Sequence, residues 1–262
     1  MKRVWLKLTL TFALLLSSTL FISCEHDDDD IKDNTIVLPT RIYGVTEDGD
    51  MMMYEHKYND IWSFEHTKIG HGWHYEKIIV ADFGYVYAID EEGIMYMSKH
   101  NGEGYNWSVV NEQVGHGWNF KHVFAGEGFI YAIKENGDLL LYKHTGDGYE
   151  WSVWGEKIGT NWNFKQVFAG SSGRIYAISE GGDLFLYQYD RKDDIWLKSK
   201  EKIGHGWHYE QVFSGTDGQI FAIREDGDMF LYKHEGEGYN WSIDGNIIGS
   251  TWNFIHIDAR TK

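Results

Sequence analysis

Ile69-Gly70-His71-Gly72-Trp73-His74-Tyr75-Glu76 returns unchanged at residues 203–210. Weaker copies stand at 114–120 (Val-Gly-His-Gly-Trp-Asn-Phe), 158–164 (Ile-Gly-Thr-Asn-Trp-Asn-Phe) and 248–254 (Ile-Gly-Ser-Thr-Trp-Asn-Phe). Their tryptophans, Trp73, Trp118, Trp162, Trp207 and Trp252, are 45, 44, 45 and 45 residues apart. A period this regular marks repeated structural units, and it outranks any local motif.

Each repeat carries the same parts. In the third, the β-rich run 130–133 precedes the turn Glu135-Asn136-Gly137-Asp138, whose glycine supplies a positive φ for a hairpin. Next comes 139–144, whose alternation puts Leu140, Tyr142 and His144 on one face. A glycine-rich loop (145–149) leads to a third run, 151–154. The Ile-Gly-x-x-Trp turn then opens a fourth, 164–169. Four short strands per unit of about 45 residues, with no helical period, is the pattern of a propeller blade. The sequence therefore predicts an all-β, five-bladed propeller with four antiparallel strands per blade. The first repeat lacks a fourth-type strand before it, and 254–259 is left over after the last. Pairing the two ends would close the ring with no free edge. A WD-type propeller is disfavoured, because the chain contains no Trp-Asp dipeptide.

Composition bounds the partners. Among 262 residues the net charge is -16, and 30 are glycine. This acidity argues against nucleic acid or an anionic membrane face as partner. Ten of the 12 tryptophans fall on two repeat positions, so the aromatic excess belongs first to architecture. The five tryptophans of the repeated stretch read as inter-blade core.

The start of the chain reads as targeting. Lys2, Arg3 and Lys7 precede an apolar run from Leu8 to Ile22, which is short for a permanent membrane span. It ends Phe21-Ile22-Ser23-Cys24, which resembles a bacterial lipoprotein signal. Residues 1–23 are thus expected to be a signal peptide, 24–40 a lipidated acidic tether, and 41–262 the propeller. Cys24 is the sole cysteine, so no internal disulfide forms. The acidic run after it either resembles a surface-export signal or is a plain solubilising linker; the expected placement is an outer-membrane lipoprotein facing outward, with a periplasm-facing or secreted protein as the alternative.

The repeats resemble the tachylectin-type five-bladed lectin propellers. The likeness rests on Ile/Val-Gly-x-Gly-Trp, Gly-x-Ile-Tyr-Ala-Ile, Asp-Gly-Asp-Leu-x-x-Tyr-x-His and a tryptophan before the next Ile-Gly. It spans 41–262. The resemblance implies metal-independent binding of N-acetylhexosamines (N-acetylglucosamine or N-acetylgalactosamine), one site per blade or junction; multivalent binding by a monomer with no cofactor is expected.

Two loop families supply rings and polar groups for a sugar. One holds Tyr105-Asn106-Trp107, Tyr149 and Trp151, and Tyr239-Asn240-Trp241, replaced in two repeats by Asp60/Trp62 and Asp194/Trp196. The other holds His71, His116 and His205. Repeats 1 and 4 share Asp-Ile-Trp with Gly-His-Gly-Trp-His-Tyr; repeats 2, 3 and 5 share Gly-x-Gly-Tyr-x-Trp with Trp-Asn-Phe. Either whole units were duplicated, or the two loops of one repeat line one pocket, giving two pocket types. His56, His100, His144 and His234 recur at a strand end where Tyr189 substitutes, which fits packing better than a metal set. The Asp-Gly turns fit hairpins better than calcium loops. A glycan-cleaving enzyme would need one asymmetric site with paired carboxylates, and no charged cluster interrupts a single repeat. A protein-docking platform stays open as an alternative.

Overall fold

The computed structural model describes residues 39–57 and 61–259. The signal, residues 24–38 of the tether with Cys24, and Asp60 lie outside the described residues; the first strand begins at Thr40, one residue before the expected start of the propeller. Twenty strands form five sheets of four. Blade I is His256–Ala259, Thr40–Val45, Met51–Lys57 and Ile61–Gly70, from inner to outer strand. Blades II to V run in chain order from Lys77–Val80 to Trp107–Gly115, His122–Gly126 to Trp151–Gly159, Gln166–Ala169 to Ile195–Gly204, and Gln211–Ser214 to Trp241–Gly249. All neighbours in a blade are antiparallel. The five-bladed propeller expected from the period is the fold observed.

The left-over strand closes the ring. Ala259 pairs with Ile42, Asp258 with Tyr43, Ile257 with Gly44 and His256 with Val45. The inner strands stand side by side around the axis, and His256–Ala259 comes back beside Lys77–Val80. Closure does leave edges, contrary to expectation: among the described residues, each blade's outer strand is unpaired on its far side. Each of those strands carries a left-handed residue at one position, namely His66, Asn111, Gly155, Lys200 or Gly245. The ladder slips register there, as at Leu141/Lys143 against Glu156 and Val153. Such bulges twist an edge and make it a poor template for another chain. The bulge also explains a boundary: the sequence suggests a strand at 151–154, but it continues through Gly155 to Gly159.

The core is divided into five clusters, one per blade junction. Second and third strands are therefore buried on both faces. Leu140 and Tyr142 pack against blade II, while Leu139 and Leu141 pack against blade IV. This is why these strands read as continuous apolar runs rather than clean alternation.

One inner-strand residue breaks the repeat. Where blades III, IV and V place Phe124, Phe168 and Phe213, blade I places Asp258. Its carboxylate accepts hydrogen bonds from the amides of Val80 (2.9 Å) and Ala259 (2.8 Å), and so ties blade I to blade II. Desolvation between the inner strands nonetheless pushes its pKa up to about 7. An unfolded aspartate releases its proton near ~3.9. The folded chain thus holds more protons across that interval, and stability falls as pH rises from about 4 to about 7. Asp258→Asn keeps an acceptor for the Val80 amide and removes the titration. Its Tm is expected to exceed the parent's at pH 8 and to converge with it near pH 4. A difference in Tm that does not change with pH would contradict this role.

Candidate functional site

After each outer strand the chain crosses to the inner strand of the next blade, and the repeated Trp stretch is that crossing. Its first glycine is a seat. A Cβ on Gly70, Gly115, Gly159, Gly204 or Gly249 would stand 2.5, 2.3, 2.4, 2.5 or 2.4 Å from Nε1 of the following tryptophan. Only glycine lets the indole lie against the backbone there. Two residues on, the chain turns through positive φ at Gly72 (76°), Gly117 (75°), Asn161 (63°), Gly206 (76°) and Thr251 (65°). The tryptophan amide then donates to the hairpin glycine of the blade it leaves. Trp73 bonds Gly49 O at 3.0 Å, and Trp118 bonds Gly93 O at 2.9 Å.

A second tryptophan meets the first from the outer strand of the next blade. The ring centroids are 5.3 Å apart for Trp73–Trp107 and Trp118–Trp151, 5.6 Å for Trp162–Trp196 and Trp207–Trp241, and 5.4 Å for Trp252–Trp62. The outer indole N–H also donates back to the crossing strand. Trp107 reaches Ile69 O (2.7 Å), Trp151 reaches Val114 O (3.0 Å), Trp196 reaches Ile158 O (2.9 Å) and Trp241 reaches Ile203 O (3.1 Å). The repeated tryptophans are mostly buried, as the core reading holds, and they also form the floor of open clefts.

Four junctions hold cavities. That between blades I and II measures about 290 Å³ and is lined by His71, Trp73, Tyr105, Trp107, Val110 and Asn111 among others. That between IV and V measures about 220 Å³, with His205, Trp207, Tyr239, Trp241 and Asp244. The III/IV cavity is about 360 Å³, with Asn161, Trp162, Tyr187, Trp196, Ser199 and Lys200. The V/I cavity is about 470 Å³, with Thr251, Trp252, Tyr54, Trp62 and His66. At II/III, Trp154 stands in the place of Val110, with its ring 6.2 Å from Trp118, 5.3 Å from Tyr142 and 5.2 Å from Trp151.

The two loop families do meet in one cleft, but they come from consecutive repeats rather than from the same one. His71 of repeat 1 faces Tyr105 of repeat 2, and His205 of repeat 4 faces Tyr239 of repeat 5. The outer-strand ring contact pairs His116's loop in the same way with Trp151 of repeat 3. The Thr160-Asn161 and Ser250-Thr251 loops meet the Asp-Ile-Trp repeats, through Trp196 and Trp62. Two cleft types result: three built from Gly-His-Gly with Gly-x-Gly-Tyr, and two from the remaining pair. The expectation that loops of one repeat share a pocket is corrected accordingly, and Tyr149 and Trp162 belong to different junctions.

Other expected site residues fall differently. Tyr105, Tyr149 and Tyr239 are more than half exposed at the cleft rims. Within their own loops, the Asn106 side chain accepts from Asn101 Nδ2 (2.9 Å), and the backbone N–H of Asn240 donates to Glu237 O (3.1 Å). The Asp194 carboxylate accepts from the Tyr189 hydroxyl and does not line its cavity. The strand-end histidines brace the rim loops. His100, His144 and His234 donate from Nε2 to Gly104 O (2.8 Å), Gly148 O (2.8 Å) and Gly238 O (2.9 Å). Tyr87 of the preceding blade donates to His144 Nδ1 at 3.1 Å. Burial lowers the pKa of His100 and His234 and so favours this neutral form. Among the described residues, no three His, Cys, Asp or Glu side chains converge as a metal site.

The sequence reading missed the outer-strand bulge. The residue before it (Val110, Trp154, Ser199, Asp244) differs in each of blades II to V, and the bulge residue itself is His66, Asn111, Gly155, Lys200 or Gly245. Of these, His66, Val110, Asn111, Ser199, Lys200 and Asp244 line the cavities. Asn111 also accepts a hydrogen bond from Tyr75 Oη at 2.6 Å. Divergence at one place in an otherwise constant repeat was the available signal.

The Tachylectin family model matches residues 44–257. Comparison with curated proteins gives no match. Among solved structures, a symmetrical protein from work on how folding constraints shaped its de novo evolutionary emergence is 18% identical. That alignment covers 83% of this chain and 97% of the other, with a TM-score of 0.59, and shows a shared fold. SapL1 lectin in complex with alpha methyl fucoside is 15% identical over 82% and 83% of the two chains, with a TM-score of 0.44. AofleA from Arthrobotrys oligospora is 14% identical over 85% and 72%, also at 0.44.

Two substitutions in the crossing should move stability in opposite directions. Gly115→Ala pushes a methyl into the Trp118 indole and is expected to cost about 1–3 kcal/mol. Thr251→Gly relieves a β-branched residue held at positive φ and is expected to gain roughly 1 kcal/mol. Urea unfolding of the two variants checks both signs.

Proposed function

The chain belongs to the Tachylectin family, and from that premise we propose that it is a multivalent, non-catalytic lectin for glycans bearing N-acetylhexosamines. The observation that carries this reading is the twice-built cleft at I/II and IV/V. In each, a rim tyrosine, a tryptophan floor and a Gly-His-Gly loop converge on one cavity. The aromatic faces suit the C–H face of a sugar ring. The histidine, hydroxyl and amide groups suit its hydroxyls and acetamido group. Cavities of 290 and 220 Å³ lie at or below the small end of the ligand-pocket range and fit one ring each.

A single shallow site of this kind binds at about millimolar strength, about -4 kcal/mol. Several engaged on one dense glycan gain about 100- to 10,000-fold in avidity. Catalysis is disfavoured by the clefts' acids. Asp244 is the one carboxylate among the described lining residues of the four junction cavities, whereas glycoside cleavage uses a pair. The same reading has the protein act as a monomer held at the outer membrane by a lipid on Cys24, facing outward. The lipobox-like Phe21-Ile22-Ser23-Cys24 and the acidic tether support that placement.

A glycan array probed with the full chain tests the proposal directly. N-acetylglucosamine- or N-acetylgalactosamine-bearing glycans should be retained with chelator present, and no retention of either would overturn it. Val110→Trp copies Trp154 into the I/II cleft. It should reduce the number of neutral-sugar sites by one in calorimetry while leaving Tm unchanged. For the anchor, Cys24→Ser should leave the membrane fraction, and sedimentation with membranes would contradict lipidation.

A further inference from the structure

At the bulge of the outer strand the five junctions share a backbone and differ in chemistry. Blade II presents Val110 and Asn111, blade III Trp154 and Gly155, blade IV Ser199 and Lys200, and blade V Asp244 and Gly245. The tryptophan pair around them is held constant by the glycine seat and the indole hydrogen bonds. Beyond the crossing and rim loops that sort the clefts into two types, the difference in charge between one cleft and another stands at this pair.

The III/IV cleft is the one whose difference is a positive charge. Lys200 lines the cavity beside Ser199, Asn161 and Tyr187, and no carboxylate lines it. The neighbouring Lys198 and Lys202 are both committed to acids, Glu201 at 2.9 Å and Asp183 at 2.8 Å. Lys200 has no acidic partner within 4 Å among the described residues. Its ammonium lies 5.5 Å from the centre of the Phe185 ring, which packs against Phe164 of the same crossing loop. In a chain of net charge -16, an unpaired lysine on a cleft wall is the feature to explain. Blade V places the opposite sign one residue earlier, with Asp244 on the wall of its own cleft.

We infer that the III/IV cleft is an anion-selective subsite, taking a sugar that carries a carboxylate or a sulfate, with Lys200 as its specificity-determining residue. This rests on the lectin reading of the clefts. The ammonium pairs with the anionic substituent while the Trp162–Trp196 floor carries the ring. The IV/V cleft, with Asp244 on its wall, rejects the same substituent.

Calorimetry on the full chain with three probes tests this: N-acetylglucosamine, its 6-sulfate, and methyl glucuronide. Binding of either anionic probe should weaken as salt is raised. It should fall by about tenfold in Lys200→Gln, the scale of a lost hydrogen bond to a charged group. It should fall further in Lys200→Glu and persist in Lys200→Arg, while N-acetylglucosamine binding at I/II and IV/V stays unchanged in all three. The arm that binds, sulfate or carboxylate, identifies the source of the anion. If N-acetylglucosamine binds but neither anionic probe responds to Lys200, the subsite inference falls and the lectin reading stands. If no probe binds, and N-acetylgalactosamine does not bind either, both fall.

Discussion

The seating of one indole on one glycine, five times over, is the constraint from which the rest of the molecule follows. A propeller has no central core; its apolar surface is divided among junctions, and each junction must be stapled by something that crosses it. The crossing tryptophan does this because the preceding glycine has no Cβ to hold it off. It then becomes the platform on which the next blade's outer tryptophan rests, and that tryptophan bonds back to the carbonyl beside the glycine. Backbone, packing and hydrogen bond thus fix one another at the junction. A cleft remains where two large rings are held at an angle instead of closing flat.

Most of the architecture was legible because the constraint leaves a mark at fixed spacing. Trp73 and its four counterparts report the crossing, Gly137 and its counterparts report the hairpin, and the unmatched run at 254–259 reports closure. The candidate site was less legible, for a physical reason. Reading repeat by repeat groups Trp162 with Tyr149, but the chain leaves one blade before the cleft is complete, so its two walls lie in successive repeats. The bulge was hidden for another reason. His66, Asn111 and Lys200 adopt the left-handed conformation without being glycine, so nothing in their type announces it.

Two kinds of repetition are superimposed. The structural frame repeats five times with little change, while the cleft-facing residues sort into two classes and then diverge further. Gly-His-Gly crossings always meet Gly-x-Gly-Tyr rims, and the other crossings always meet Asp-Ile-Trp rims. That matching holds across the gap between blades, where only physical contact enforces it. Inside a repeat the rim is matched instead to the end of its own crossing, Asp-Ile-Trp with Trp-His-Tyr and Gly-Tyr-x-Trp with Trp-Asn-Phe, as copying of whole repeats would leave it. The ring nitrogens of the strand-end histidines join the two levels, bonding the rim loop on one side and, at His144, a tyrosine of the preceding blade on the other.

The pairing of Ile42 with Ala259 makes blade I the one blade woven from both halves of the chain. The cleft between blades V and I therefore has walls from opposite ends of the sequence: Thr251 and Trp252 on one side, Tyr54, Trp62 and His66 on the other. The other four clefts need only neighbouring stretches to find each other. This one exists only after the whole circle has closed. It is a built-in reporter of completion, and a ligand held there would act as a clasp on the ring, drawing free energy of binding into the stability of all five blades at once.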